Sequence, residues 1–175
     1  MRSSVMVAPL DSGAAALFSS FDGVIFFDRH GLVVRSVQLP VVRRRGSPTD
    51  AEARARASRS PAELYAILST AGHLQRLADG SFAAMHFDFT LVGQRLTAEG
   101  FVTVLKADLS AACVDGVIPF SSDAQPAVDF RGDTLFVLDQ FVTEADGVLS
   151  VVRAWTLDLS EWDWLPVQEG TPYAR

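Results

Sequence analysis

A chain of 175 residues, 49% of them apolar and 21% charged, has the size and balance of one globular domain spanning 1–175. Such a domain buries roughly two-thirds of its unfolded surface without metal or disulfide. The single cysteine, Cys113, excludes an internal disulfide and any multi-cysteine metal centre, and its apolar neighbours mark it as a small core residue. A net charge of −6 argues against nucleic acid as the main partner, because phosphate binding wants a positive face.

Lys106 is the only lysine among fifteen basic residues, a bias that reflects codon supply in a GC-rich bacterial genome rather than chemistry. No apolar run approaches the roughly 18 residues of a membrane span. The apolar stretch after Met1-Arg2-Ser3-Ser4 is broken by Pro9 and Asp11, too early for a secretory signal. A cytoplasmic protein is the expectation.

Residues 12–20 fit either a short helix or an irregular lead-in. The first clear element is a hairpin, with β-prone runs at 24–27 and 32–37 joined by Asp28-Arg29-His30-Gly31. Residues 43–60 carry six arginines against Asp50 and Glu52, and no large apolar side chain, so they read as a flexible loop or frayed helix. That segment could grip nucleic acid, an acidic protein or the acidic body of its own fold; a solvated loop is the preferred reading.

Ser60-Pro61-Ala62-Glu63 has the form of a helix start, and Leu64, Ile67, Leu68, Ala71, Leu74 and Ala78 recur at helical spacing up to Gly80. The spacing predicts one major amphipathic helix over about 61–79, packed on a sheet. Met85, Phe87, Phe89 and Leu91 then alternate with polar residues, and the chain turns at Gly93 towards a strand over 101–105. Short strands are expected at 117–120 and 128–130. A second hairpin runs from Thr134 through Asp146-Gly147 to Leu157, and residues 166–175 read as an irregular tail.

A two-residue loop at Asp146-Gly147 would set Gln140 opposite Arg153 and leave both sheet faces substantially apolar. The expected fold is therefore α+β: a strongly curved antiparallel sheet or barrel-like sandwich of about six to eight strands, with the one helix on it.

Few residues suggest chemistry. His86 and Asp88, two apart on a strand, could form half a metal site or an acid–base pair, but no HxxxH or HExxH spacing supplies further ligands. A solvated strand face is the preferred reading for both. Arg153, on an apolar face with Gln140, needs a carboxylate partner or a ligand anion. Trp162 and Trp164 could anchor an interface or close the end of a core.

No phosphate-binding loop, dinucleotide fingerprint or nucleophile elbow is present, so no catalytic residue, metal or cofactor is assigned. The leading expectation is a non-enzymatic binding protein acting through a protein–protein surface, with a partner that could be basic. The alternative is a curved sheet whose cavity binds an apolar small molecule. A homo-oligomer is compatible with either.

Overall fold

The computed structural model describes residues 5–18, 21–49, 65–92, 95–119, 126–143 and 147–170. In chain order the strands are β1 (Val5–Leu10), β2 (Gly13–Phe18), β3 (Gly23–Asp28), β4 (Val33–Gln38), β5 (Thr70–Arg76), β6 (Phe82–Val92) and β7 (Arg95–Leu105). They continue as β8 (Ala111–Ile118), β9 (Ala127–Arg131), β10 (Thr134–Thr143), β11 (Gly147–Thr156), β12 (Trp164–Pro166) and β13 (Gln168–Glu169). The regular helical element among the described residues is one 3-10 turn, Leu159–Glu161.

The strands form three antiparallel sheets, ordered β1-β2-β3-β4-β13, β12-β8-β7-β6-β5 and β11-β10-β9, none closed into a barrel. The β5–β8 sheet is the middle layer, and strand alternation dictates what each of its faces meets. Phe82 and Ala84 of β6 point into a core shared with Ala15, Leu17, Val24, Phe26 and Val37 of the first sheet. Ala83, Met85, Phe87 and Phe89 point the other way, onto Phe130, Leu135 and Val137 of the three-stranded sheet. One strand thus feeds two cores.

The α+β expectation is overturned: the described residues are almost entirely β and contain no major helix. Residues 61–64 of the expected helix lie outside the described residues, but 70–76 form β5 and 77–80 a turn. The register of β5 against β6 slips between Ala71 and His73, and this bulge brings Ala71 and Leu74 into the same core. A strand carrying one extra residue therefore reproduces the i, i+3 spacing of a helix.

Gly72 explains why the strand lies so close, since a Cβ there would meet the Phe87 ring at 2.0 Å. The expected helix stop at Asp79-Gly80 is instead a hairpin turn. Leu77 N–H donates to Ser81 O at 2.8 Å, and Gly80, at φ +87°, takes the left-handed corner.

The hairpins expected at 24–37, 85–105 and 134–157 all form. Of residues 12–20, Ser12 lies in a turn and 13–18 form β2, while 19 and 20 lie outside the described residues. So do residues 50–60 of the arginine segment, where a flexible loop or frayed helix is expected. In the last hairpin the register differs from a two-residue loop. Thr143 pairs with Gly147, so Gln140 opposes Ser150 and Arg153 opposes Val137.

That odd shift swaps faces. Val137 and Asp139 turn into the core, while Leu138, Val148 and Val152 are exposed on the outside. The sheet is covered on one face, not both. No helix among the described residues is long and apolar enough to cross a membrane.

Candidate functional site

The densest polar constellation sits beside the first core, where the segment following β4 meets Asp88 of β6 and Asp115 of β8. Arg44 is its hub, 3% exposed. Its guanidinium donates to Asp115 Oδ1, to Asp22 Oδ1 at 3.2 Å and to Pro40 O at 3.2 Å. The three carboxylates around it also hold the main chain. Asp115 accepts the N–H groups of Val42 (2.6 Å) and Arg43 (2.9 Å), Asp88 that of Arg45 (2.9 Å), and Asp22 that of Ser47 (2.6 Å).

Ser69 completes the arrangement by accepting from Gly46 N at 3.0 Å and donating to Asp88 Oδ1 at 2.5 Å. Arg45 reaches back along β6 to Phe89 O and Thr90 Oγ1. Asp115 occupies its place because β7 and β8 slip register between Val102 and Val104, and it takes a left-handed φ of 55° there. A bulge that re-aims one side chain is a recurring device next to special sites. Burial works to raise the Asp115 pKa, but Arg44 and the amides of Val42 and Arg43 outweigh it and hold the carboxyl low.

His86 and Asp88 are both buried, at 2% and 5% exposure, which overturns the solvated-face reading. They face the first core because β6 lies in the middle layer, where the side expected to meet water meets another sheet. Burial, and secondarily the positive charge of Arg44, push the His86 pKa down to about 3, so the imidazole is neutral. Burial raises Asp88, against the hydrogen bonds from Ser69 and Arg45. Ser69 gives its proton directly to Asp88, so no serine–histidine pair forms. The arrangement locks the 40–47 segment onto the sheets; it does not present a nucleophile with a base.

The other sequence-singled residues lie elsewhere. Gln140 is exposed on the outer face of the three-stranded sheet, and Arg153 is on its inner face. Arg153 Nη2 stands 4.0 Å from Asp139 Oδ2, a carboxylate with no exposed surface. The strand-borne carboxylate that such an arginine needs is therefore its neighbour in the hairpin. Gln140 and Arg153 do not act together.

Trp162 and Trp164 are likewise separate. The Trp162 ring covers Gly116, where a Cβ would come within 1.7 Å of it. Trp164, 38% exposed, lies under the Lys106 ammonium at 4.8 Å from the ring centre. Beside them is a groove of about 510 Å³, lined by Leu77, Val104, Leu157 and Leu159, with Asp79, Lys106 and Asp133 as its charged groups.

Cys113 is buried, and burial lifts its thiol to about 11. Among the described residues no group of three or more His, Cys, Asp or Glu side chains could hold a metal ion. Asp22, Arg44, Ser69 and Asp115 were not singled out by their sequence context. Their outward signals are the arginine triplet 43–45 and two Asp-Gly pairs beside apolar runs, 22–23 and 115–116.

The chain was compared with family models, with curated proteins and with solved structures. None of them matches.

Proposed function

We propose that this chain is a non-enzymatic, cytoplasmic binding protein that works through a protein–protein surface, in the manner of an inhibitor, immunity-type protein, adaptor or chaperone. The observation that carries the reading is the outer face of β9–β11. Leu138, Val148 and Val152 are 37%, 63% and 67% exposed there, on the side of the sheet turned away from both cores. Exposed apolar side chains on the outer face of a sheet, here flanking Gln140 and Ser150, are a usual mark of an interaction site. A net charge of −6 favours a basic partner. The Arg44 cluster, buried and spent on holding the 40–47 main chain, supports a structural rather than a catalytic use of its polar residues.

The test is capture by a photo-crosslinker placed at Gln140, with the partner identified and its stoichiometry measured. A basic protein is expected to crosslink one to one, and Leu138→Asp is expected to weaken its binding at least about tenfold, the effect of placing a charge in an apolar contact. A partner that binds Leu138→Asp undiminished would remove this face from the reading.

The second reading, an apolar small molecule, draws on the Trp164–Lys106 groove, whose lining suits an apolar body with an anionic end. Quenching of tryptophan fluorescence by a medium-chain carboxylate, abolished in Lys106→Ala, would favour it over the first.

A further inference from the structure

Hairpin tips are ordinarily polar, because the turn is where the chain meets water. The tip between β3 and β4 departs from this. Residues 29–35 are exposed without a break, and Leu32, Val33 and Val34 among them are 62%, 46% and 63% exposed. The three are adjacent in the chain rather than two apart, so they are not the single apolar face of a strand. The register of β3 against β4 slips between Phe26 and Phe27, which leaves Val34 with no residue opposite it.

The tip is closed on itself. Asp28 Oδ1 accepts the N–H groups of His30 at 2.8 Å and Leu32 at 2.9 Å, and Asp28 O accepts that of Gly31 at 3.0 Å. Asp28 N–H donates in turn to Leu32 O at 2.9 Å, and Gly31, at φ +79°, makes the corner. Amides already met in this way can leave water without being stranded. Cations stand on both sides of the apolar three. Arg29 comes before them, its Nε donating to His30 Nε2 at 3.4 Å, and Arg35 comes after, loosely paired at 3.9 Å with the exposed Glu169.

We propose that the β3–β4 tip is a docking element for an anionic lipid surface. Leu32, Val33 and Val34 enter among the headgroups, and Arg29 and Arg35 stay at the level of the phosphates. The charge pattern selects this occupant: an apolar apex framed by arginines matches an apolar layer covered by anions. The shape agrees, since a fluid phase closes around an apex, whereas a protein partner meets a face. The net charge of −6 contributes orientation, because the same surface repels the acidic body and turns the tip towards it. One short anchor binds marginally and reversibly, so the contact is a weak one.

This inference uses neither the β9–β11 face nor the Trp164 groove. Its test is flotation of the purified full chain with unilamellar vesicles at millimolar lipid. The chain should float with phosphatidylcholine vesicles containing phosphatidylglycerol, less so as salt rises, and hardly at all with phosphatidylcholine alone. Leu32→Asp is expected to cut the bound fraction at least about tenfold, and joint Arg29→Glu and Arg35→Glu to do the same. Thermal unfolding of both variants should be unchanged, and Leu138→Asp should float like the parent chain. A polarity-sensitive dye on Val34→Cys should shift to the blue on the anionic vesicles, and one on Val148→Cys, 63% exposed on β11, should not. Cys113 is buried and leaves the labelling to the introduced thiol.

The proposal is overturned by a chain that floats with neither vesicle, by equal flotation of Leu32→Asp, or by equal flotation without phosphatidylglycerol. A blue shift at Val148→Cys matching that at Val34→Cys would also overturn it. So would a chain that ignores vesicles and binds a soluble protein through Leu32.

Discussion

A guanidinium shut away from water is tolerable only where its charge is met, and Arg44 is met through its two terminal nitrogens by two carboxylates and a carbonyl, its Nε being left without a partner. Beside it, His86 is held neutral with its Nδ1 unpartnered, and this gives the protein a pH dependence whose sign can be worked out. The unfolded imidazole titrates near 6.5, the folded one near 3, so between those values the unfolded chain binds the extra proton. Stability is therefore undiminished above 6.5 and falls steadily as the pH drops towards 3.

Asp115, held low in the fold, acts in the same direction, because its contribution is lost on acidification. Asp88, raised, opposes them. Urea midpoints measured from neutral pH to about pH 4 should fall, and His86→Leu should flatten the slope by about one proton. A midpoint that does not move over that range, or an identical slope in the variant, would contradict the buried neutral histidine.

At the level of elements, Gly72 decides between strand and helix. In a helix Gly72→Ala would add about 1 kcal/mol of stability. In β5 the new methyl meets the Phe87 ring at 2.0 Å, and overpacking of that kind costs about 1–3 kcal/mol. Loss of stability in chemical denaturation is the expected outcome; a gain would restore the helix. The same strand shows where local patterns stop being informative. Met85 to Leu91 could be read as a strand because nothing interrupts its period of two. Ala71 and Leu74 could not, because a bulge resets the phase, and a bulge has no signature in the apolar pattern. Asp79-Gly80 fits both a helix stop and a hairpin turn, and only the partner strand distinguishes them.

Across the whole molecule, the layering was harder to read than the strands. His86 and Asp88 sit at positions that alternate correctly for a solvated face, and a third layer is what buries them. The Arg44 cluster unites Asp22, Arg44, Ser69, Asp88 and Asp115, which lie far apart in the chain, so no spacing announces it. The layers are tied together late in the chain: β12 pairs with β8 of the middle sheet, and β13, two residues on, with β4 of the first. A chain stopped after Leu157 should bare both edges and strip Trp162 from Gly116. Lower thermal stability with self-association, seen by melting and sedimentation, is expected; an unaltered monomer would show the two short strands to be dispensable.

Those two strands also bear on how the protein is made. Synthesis delivers residues 5–38 first, and they can assemble their four-stranded meander at once. The seam between first and middle sheets has to wait until residues 164–169 clear the ribosome. Until then a nascent chain carries two open edges, and a pause late in translation would lengthen the interval in which they can pair with the wrong strand.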